Sequence, residues 1–247
     1  MRRNKSDNIL VFVPGYNVEN TIEKVFFGLM KTKKELNFDI LFIDNRSKDN
    51  TFEKLKELVE NKKQKGIKLV RNSKNLGYGG SQKVAFGYAF RKKYDYLIEY
   101  DGDMQYPVAN ILDLYAKIKK TKLGIVFGSR VTTKENISQM PFWKAFGNKF
   151  FNMLNKWALG IKVSEIHTGF RIYNLKNIKG FNFNRCHNDY RWTIDSVVEI
   201  LKINKNLSEI PTKALYTKYS SAPSFKQLFK TMVYMFFRAL EYKFLRL

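Results

Sequence analysis

Two aspartates one residue apart follow an apolar stretch of the chain, in the segment Tyr96-Leu-Ile-Glu-Tyr-Asp101-Gly-Asp103. The stretch that ends at Tyr100 has the aromatic and branched residues typical of a β-strand, and Gly102 lets the backbone turn between the two carboxylates. Two carboxylates held this close in a buried site repel each other, so they resist ionising together. Mg²⁺ or Mn²⁺ removes this conflict, because such cations prefer oxygen ligands and share them with substrate phosphates. The pair therefore predicts a site for a metal–diphosphate complex, with a pair of aspartates in a solvated turn as the alternative.

Other polar residues follow other apolar runs. Asp44 comes directly after Asp39–Ile43, where its carboxylate can accept hydrogen bonds from the base or the ribose of a nucleoside. Helix capping is the alternative for Asp44, and we prefer it for Asp49. Arg130 closely follows Gly124–Gly128, and the fork of donors on its guanidinium suits a phosphate group.

These polar residues need elements that bring them to one place, and the first half of the chain predicts such elements. Short apolar runs alternate with helical patterns, which is typical of a parallel sheet flanked by helices. Ligands of open α/β sheets bind at the carboxyl edge of the strands, and the polar residues fall there. We therefore predict a Rossmann-like α/β fold with a mostly parallel sheet. The predicted strands are Ile9–Val13, Asp39–Ile43, Ile67–Val70, Tyr96–Tyr100 and Gly124–Gly128, and the predicted helices are Ile22–Met30, Thr51–Lys63, Gly77–Lys92 and Val108–Lys119.

The regular alternation ends near Arg130. Residues 131–190 are aromatic, loop-rich and less periodic, which favours a substrate-binding region over another strand–helix–strand unit. A helix is predicted at Thr193–Ile203 and a short strand at Leu207–Pro211. No linker or internal repeat divides the chain, so we expect residues 1–223 to form one domain.

The segment Ser224–Leu247 has the pattern of a basic amphipathic helix rich in phenylalanine, with Glu241 as its only acid. Such helices lie in the interface of a membrane with their apolar face among the lipids. The alternative is a terminal helix that packs on the domain and leaves its lysines in water. We expect membrane contact, because Tyr234, Met235 and Phe237 make the apolar arc wider than simple packing requires. The apolar positions with helical spacing are Phe225, Leu228, Phe229, Met232, Val233, Phe236, Leu240 and Phe244.

The composition narrows the class of partner and the compartment. The chain has 247 residues with 45 Lys+Arg against 22 Asp+Glu, a formal net charge of +23, which predicts a polyanionic partner. Nucleic acid, an acidic membrane surface and phosphorylated substrates are the candidates, but no nucleic-acid-binding motif accompanies the charge, so we expect no nucleic-acid partner. The single Cys186 allows no internal disulfide and fits a reducing compartment. We find neither a signal peptide nor an apolar segment of the ~18 residues that a membrane span needs, and we expect a cytoplasmic protein.

The motifs, taken in order, resemble those of the family 2 glycosyltransferases, which have the GT-A fold. Within that family the chain is similar to the polyprenyl-phosphate glycosyltransferases of the dolichol-phosphate mannose synthase type. The resemblance covers roughly residues 8 to 225, and several motifs in one order are far more specific than any one alone. The family motifs are Pro14-x-Tyr16-Asn17, Asp44 with Ser47 and Thr51, Asn75-x-Gly77, Asp101-Gly-Asp103 and Gly128-Ser-Arg130. The closer match depends on Gly77-Tyr-Gly-Gly-Ser-Gln-Lys83, Asp103-Met-Gln105-Tyr-Pro107, Ser164-Glu-Ile-His-Thr-Gly-Phe-Arg171, Glu209-Ile-Pro211 and Tyr219-Ser-Ser221.

The resemblance implies a role for each matching residue. Asp101, Asp103 and Gln105 would hold Mg²⁺ or Mn²⁺ on the diphosphate of the donor. Asp195 would face the sugar or the acceptor and would be catalytic together with Asp101 and Asp103. His167 would assist at the metal or the phosphate, and a structural histidine is the alternative. The nucleotide sugar would contact Pro14, Tyr16, Asn17, Asp44, Gly77, Lys83, Asp101 and Arg130. The acceptor or its phosphate would contact Arg130, His167, Arg171, Ser220 and Ser221.

Two departures from the family pattern concern the nucleoside. Val18 replaces a glutamate often found after the Tyr-Asn pair, and Asn45-Arg46 replaces the more usual Asp-Gly. Both lie where the base and ribose would bind, so a UDP-sugar and a GDP-sugar are both open as donors.

The expected function is a metal-dependent, inverting transfer of a hexose to a polyprenyl phosphate by an enzyme bound peripherally at the inner face of the membrane. The metal and the arginines would stabilise the negative charge that develops on the departing diphosphate. The alternative acceptor is a hydroxyl of a surface polysaccharide or a lipid-linked glycan, which requires a general base, with Asp195 the first candidate and Asp189 the second. Two further alternatives belong to other classes: a nucleotidyltransferase, which also uses paired carboxylates, and a basic nucleic-acid-binding module.

Overall fold

The described strands form one seven-stranded sheet, and helices cover both of its faces. A computed structural model of the protein describes residues 7–62, 65–132, 153, 155–213, 215 and 225–245. The strands are β1 (Ile9–Gly15), β2 (Asp39–Asp44), β3 (Ile67–Arg71), β4 (Tyr96–Tyr100), β5 (Ile125–Ser129), β6 (Phe170–Asn174) and β7 (Leu207–Pro211). The helices are α1 (Ile22–Thr32), α2 (Thr51–Lys62), α3 (Gly77–Arg91), α4 (Asn110–Lys119), α5 (Trp192–Leu201) and α6 (Phe225–Leu245), and Phe183–Arg185 forms a short 3₁₀ turn.

The sheet has the order β3-β2-β1-β4-β6-β5-β7 and is mostly parallel, as the sequence predicts. Strands β1 to β4 run parallel to one another, and β5 pairs in parallel with β7. Only β6 among the described strands runs in the opposite direction, between β4 and β5. The carboxyl ends of β1, β2, β4 and β5 therefore meet at one edge, where the predicted site residues begin.

Residues 131–190, expected to be loop-rich, also contain the strand β6, which the sequence did not predict. Phe170, Ile172 and Tyr173 are completely buried, because the strand lies inside the sheet with a neighbour on each side. The strand comes after the irregular segment 160–169, and the regular alternation of the first half does not extend to it. Arg171, a charged residue in its middle, also hides the strand from a search for apolar runs.

The core consists of two layers, one on each face of the sheet. Helices α1 and α4 contribute to the layer that contains Phe26 and Ile111, while α3 and α5 contribute to the layer that contains Phe86 and Trp192. Met235 and Ala239 of α6 belong to the second layer, at 4% and 0% exposure. Helix α6 therefore packs on the domain with one face, which was the alternative to a membrane anchor, and its other face is exposed.

Among the described helices, including the 21 residues of α6, none is both long and apolar enough to pass through a bilayer.

Candidate active site

The aspartate pair lies in a buried turn at the end of β4. Asp103 is 2% exposed, and Gln105 donates to both of its carboxylate oxygens, from the backbone N to Oδ1 at 3.2 Å and from Nε2 to Oδ2 at 2.7 Å. Met104 between them has φ = 61°, a left-handed conformation that non-glycine residues rarely adopt. The turn is thus buried and hydrogen-bonded, unlike the solvated turn that was the alternative.

Asp101 has an environment that disfavours its charge. Gly169 lies directly against the Asp101 carboxylate, and a Cβ at that glycine would overlap it. Burial raises the pKa of Asp101 well above its usual value, the neighbouring Asp103 and Glu99 raise it further, and Arg171 and Arg130 partly offset them. Two adjacent carboxylates, of which Asp103 is buried and Asp101 partly buried, fit a divalent cation that offsets their mutual repulsion.

A chain of hydrogen bonds connects Asp103 to Glu165, and we call it the Gln105 relay. Gln105 donates to Asp103 and accepts from Nη1 of Arg130 at 2.9 Å. Arg130 in turn donates from Nε to Glu165 Oε1 at 3.0 Å and from its backbone N to Oε2 at 2.7 Å, and its Nη2 contacts the same carboxylate. The guanidinium is 17% exposed and lies over the ring of Tyr106, 5.6 Å from its centre. The relay holds Arg130 at the carboxyl edge and orients the Asp103 carboxylate.

The candidate metal site offers few protein ligands. No group of three or more His, Cys, Asp and Glu side chains that could hold a metal ion occurs within the described residues. Asp101 and Asp103 supply carboxylates, and Gln105 offers an amide oxygen that already accepts from Arg130. Mg²⁺ typically takes one or two carboxylates and completes its shell with phosphate oxygens and water, so this set suits a cation that arrives with a diphosphate.

A buried ion pair lies beneath the aspartates. Glu99 of β4 and Arg171 of β6 are opposite each other in the sheet, both are 0% exposed, and Arg171 Nε is 3.3 Å from Glu99 Oε2. Arg171 Nε also donates to the Thr168 carbonyl at 2.8 Å. Tyr78 donates to Glu99 at 2.5 Å, and Gln82 contacts the same oxygen. Arg171 is completely buried and engaged by Glu99 and Thr168, and its role at a phosphate group stays a prediction.

At the end of β2, Asp44 is buried and accepts from the backbone N of Ser47 at 3.2 Å. Its Oδ2 is 3.0 Å from Nε of Arg71, whose guanidinium lies 4.3 Å from the centre of the Phe52 ring. Asp49 accepts from the backbone N and the hydroxyl of Thr51 at the start of α2, which confirms the capping interpretation.

The loops after β1 and β2 are joined to each other. Asn17 has φ = 55° and donates from its backbone N to Ser47 Oγ at 3.0 Å, and its side chain accepts from the backbone N of Lys48 at 2.9 Å. Tyr16 is 41% exposed next to it, and Pro14, one residue before the end of β1, lies at the same edge with partial burial. Four of the residues predicted to contact the nucleotide sugar thus lie together: Pro14, Tyr16, Asn17 and Asp44.

The structure explains why Asn45 replaces the aspartate that is more usual at this position. Asn45 is 6% exposed and its amide is saturated: Oδ1 accepts from Asn72 Nδ2 and from the backbone N of Leu76, both at 2.9 Å. Its Nδ2 donates to Asn75 Oδ1 at 3.0 Å and to the Gly77 carbonyl at 3.3 Å. An aspartate there would lose the two donated bonds, so the asparagine fits this network. Arg46 is exposed with φ = 64°, a conformation that suits the usual glycine better.

The glycine-rich start of α3 packs tightly against a later loop. Gly77 has φ = 77°, and a Cβ on it or on Gly79 would overlap the carbonyl oxygens of Asn188 and His187. Gly80 donates from its backbone N to Asn188 O at 3.1 Å. Close packing alone accounts for these glycines, and the role of Gly77 at the nucleotide sugar stays a prediction. Lys83, one turn further along α3, lies with Nζ 3.4 Å from the Asn184 carbonyl, and its donor role is likewise untested.

His167 is a neutral, hydrogen-bonded histidine. Nδ1 is 3.1 Å from Thr193 Oγ1, and Nε2 is 3.4 Å from Asn155 Nδ2. Burial and the charges of Arg171 and Arg130 lower the pKa of His167 to about 4, with Glu165 acting in the opposite direction. This environment supports the structural role that the sequence left open.

Both candidate bases are engaged by other side chains. Asp195 is 2% exposed; its Oδ2 accepts from the backbone N of His187 at 2.9 Å and is 2.7 Å from Nδ1 of that histidine. Its Oδ1 accepts from the Tyr234 hydroxyl of α6 at 2.7 Å and is 3.6 Å from Arg238 Nε.

Asp189 forms a two-pronged ion pair with Arg191, at 2.9 Å from Nε and 2.8 Å from Nη2. Burial raises the pKa of Asp189, but the hydrogen bonds from Arg191 outweigh it and leave this pKa below its usual value.

Sequence reasoning missed several residues of this region. Glu165 completes the Gln105 relay, and Glu99 pairs with Arg171, although a glutamate inside an otherwise apolar strand was a visible signal. Tyr190 stacks on Tyr78 with ring centres 5.3 Å apart, and burial, Asp101 and Asp103 raise its pKa. Nothing in the spacing of the sequence indicated this aromatic pair. The predicted acceptor residues Ser220 and Ser221 lie outside the described part of the chain.

The fold and site can be compared with known proteins. The family model described as "Glycosyl transferase family 2" matches residues 10–180. UDP-N-acetylglucosamine–dolichyl-phosphate N-acetylglucosaminyltransferase from Methanococcus voltae is 26% identical over 87% of this chain and 88% of its own length. Dolichyl-phosphate beta-glucosyltransferase from Dictyostelium discoideum is 28% identical over 83% of this chain and 65% of its own length.

Among solved structures, glucosyl-3-phosphoglycerate synthase from Mycobacterium tuberculosis in complex with Mn²⁺, UDP and glucosyl-3-phosphoglycerate has a TM-score of 0.67. The match covers 96% of this chain and 80% of that chain at 13% identity, so it is informative about the fold alone. Together with the sheet order it confirms the predicted GT-A architecture.

Proposed function

This chain belongs to glycosyl transferase family 2 and is a glycosyltransferase, and we propose that it transfers a hexose from a nucleotide-sugar donor to a polyprenyl phosphate. The observation that carries this choice of acceptor is the engagement of both candidate bases, Asp195 and Asp189, by other side chains. A sugar hydroxyl must lose its proton to attack, so a hydroxyl acceptor needs a free base within reach. A lipid phosphate is already an anion and needs none.

The names of the relatives support the same acceptor. The Methanococcus voltae and Dictyostelium discoideum proteins are both named as transferases of dolichyl phosphate, a polyprenyl phosphate, although their sugars differ. The first of them is aligned over most of both chains, so the likeness extends beyond the nucleotide-binding half.

The aspartate pair supports a metal-dependent reaction. Asp101, Asp103 and the Gln105 amide would hold Mg²⁺ or Mn²⁺ on the donor diphosphate. When bound, such an ion supplies positive charge that stabilises the negative charge developing on the leaving diphosphate. Arg130 adds a fixed positive charge at the same edge, and the relay keeps its guanidinium there without reorganisation during the reaction. Attack by the acceptor from the face opposite the diphosphate inverts the anomeric centre.

A UDP-sugar is the donor that we favour for a first assay. The M. voltae relative is named for a UDP-linked sugar, and the neighbour from M. tuberculosis was solved with UDP and Mn²⁺. Pro14, Tyr16, Asn17 and Asp44 offer one continuous region for the nucleoside at the ends of β1 and β2. A GDP-sugar remains the alternative donor, since Asp44 can accept hydrogen bonds from either base.

The second candidate function is transfer to the hydroxyl of a glycan, with Asp195 as the base. The position of Asp195 on α5, next to the loop that borders Gly77 and Gly79, favours it over more distant acids. In that case Asp195 would have to exchange its bonds to His187 and Tyr234 for the acceptor hydroxyl.

For the first function, transfer to a polyprenyl phosphate, we place the enzyme peripherally on the cytoplasmic face of a membrane, where this lipid is within reach.

Mass spectrometry of the transfer products tests both functions. Purified protein with Mn²⁺ or Mg²⁺ receives a panel of UDP- and GDP-sugars and either polyprenyl phosphate in detergent or a hydroxyl-bearing glycan. We expect a glycosyl-phosphoryl lipid that disappears in Asp103→Asn, persists in the surface control Asp113→Asn and keeps appreciable yield in a folded Asp195→Asn. Glycosylation of the glycan alone, abolished by Asp195→Asn, would replace the proposal by the second function.

A further inference from the structure

Most of the exposed large hydrophobic side chains in the described part of the chain lie at one corner of the molecule. Nine such side chains are exposed, and six of them are on residues 153–157 or on α6. The rings of Trp157 and Phe244 meet edge to face at 6.3 Å, which joins the two segments. An exposed apolar patch of this kind marks contact with a protein or a membrane. We call these six residues the aromatic corner: Met153, Trp157, Val233, Phe236, Phe237 and Phe244.

Helix α6 has two faces with different partners. The inward face packs on the domain through Tyr234, Met235 and Ala239. Tyr234 also donates a hydrogen bond to Asp195. Phe237 and Phe244 point the other way and are 64% and 67% exposed. At about 100° per residue, the four α6 members of the aromatic corner fall within roughly 100° of arc. The outward face is therefore a continuous apolar stripe held in place by the inward one.

Basic side chains flank this stripe. Lys230 is exposed about two turns before Phe237. Lys243 lies over the Trp157 ring with Nζ 3.5 Å from the ring centre. Glu241 is the only acid of α6 and forms an ion pair with Arg238 at 2.6 Å. Apolar side chains between lysines, without a free acid, complement a surface that is apolar beneath and anionic on top.

We propose that the aromatic corner inserts into the headgroup region of an anionic lipid leaflet, with Phe237, Phe244 and Trp157 as the inserted side chains. A second copy of this chain is a less suitable occupant, because a symmetric contact would bring the flanking lysines of two chains with a net charge of +23 together. A leaflet with acidic lipids instead attracts them. The inference deepens the proposed function, since it identifies the surface through which the enzyme would reach its lipid acceptor.

The short helical segment that carries Trp157 also contacts the candidate active site, through Asn155. Asn155 is 2% exposed and lies 3.4 Å from Nε2 of His167, while Trp157 two residues later is 52% exposed on the outside. Lys156 between them is exposed, with Nζ 3.4 Å from Ser164 Oγ. A lipid phosphate at the leaflet surface would thus lie next to the segment that leads to His167 and the Gln105 relay.

Vesicle flotation tests the proposal without any sugar donor. The whole chain is mixed with vesicles of phosphatidylcholine, or with vesicles in which about one third of the lipid is phosphatidylglycerol. We expect the chain to float with the anionic vesicles, and the double variant Phe237→Ser/Phe244→Ser to bind at least about tenfold more weakly. Phe27→Ser is the matched control, because Phe27 is 45% exposed on α1, on the other side of the sheet.

Several outcomes would overturn the proposal. They are undiminished flotation of the double variant, equal loss in Phe27→Ser, or a wild-type chain that ignores anionic vesicles. Light scattering that shows a dimer in the wild type and a monomer in the double variant, with equal vesicle binding, would assign the corner to self-association. Lipid binding with no transfer to any acceptor would leave the aromatic corner intact and reject the proposed function, so the two failures are distinguishable.

Discussion

The hydroxyl of Tyr234 donates a hydrogen bond of 2.7 Å to Oδ1 of Asp195, and this bond fastens the C-terminal helix to α5. The other oxygen of Asp195 holds His187, whose carbonyl lies against Gly79 at the start of α3. One buried carboxylate therefore connects the helix that carries the aromatic corner with the loop that borders the candidate active site. Glu199, one turn further along α5, strengthens the junction by accepting from Arg238 at 2.9 Å.

We predict that Tyr234→Phe lowers the free energy of unfolding by about 1–2 kcal/mol, because it removes one hydrogen bond to a buried carboxylate. Urea denaturation followed by tryptophan fluorescence measures this change. Tyr242→Phe on the same helix is the matched control and should cost less. Equal losses in the two variants would mean that the Asp195 bond contributes nothing specific.

For the Gln105 relay, we predict that Glu165→Gln weakens Mn²⁺ binding in the presence of UDP by about 10-fold or more. The substitution removes the charge that orients Arg130, which in turn positions Gln105 on Asp103. Isothermal titration with Mn²⁺ and UDP measures the affinity. Glu53→Gln, an exposed acid on α2, serves as the control. Unchanged affinity in Glu165→Gln would show that Asp103 needs no support from the relay.

At the nucleoside edge, we predict that Arg46→Gly stabilises the protein by about 0.5–1 kcal/mol or leaves it unchanged. Arg46 adopts φ = 64°, which costs a residue with a Cβ about 1–2 kcal/mol. Glycine removes this backbone strain, and the relief equals or exceeds the free energy that glycine loses through its greater chain entropy in the unfolded state. The melting temperature in a calorimeter reports the sign. Lys48→Gly, in the same loop without a positive φ, should destabilise; if both substitutions destabilise equally, the strain argument is wrong.

The pKa of His167 predicts a pH dependence of stability. Its ordinary value is 6.5 and the folded value is about 4, so the unfolded chain binds a proton over this interval and the folded chain does not. The free energy of unfolding should therefore fall as the pH drops from 6.5 to 4, with a contribution from His167 of at most about 3 kcal/mol. Urea unfolding at several pH values should give a flatter profile for His167→Asn than for the wild type. Parallel profiles would contradict the depressed pKa.

Much of this architecture follows from local sequence pattern. The first five strands and the helices between them were predicted close to their observed bounds, because each element repeats its apolar residues with its own period. The aspartate pair was predicted at the carboxyl edge for the same reason, since Asp101 follows the last residue of β4 directly. The capping role of Asp49 is also local, because donor and acceptor are two residues apart.

Other features depend on contacts between residues far apart in the chain. Strand β6 became visible only as the central antiparallel partner of β4 and β5, and its buried Arg171 is tolerated because Glu99 faces it across the sheet. The sequence indicated Asp195 as a candidate base, but it did not indicate that His187 and Tyr234 would occupy both of its carboxylate oxygens. Periodicity and composition are properties of neighbouring residues, whereas the partners of a buried charge are chosen by packing across the whole fold. The sequence by itself thus determined the fold class and the position of the aspartate pair, and the tertiary structure alone decided which charged groups are engaged with one another.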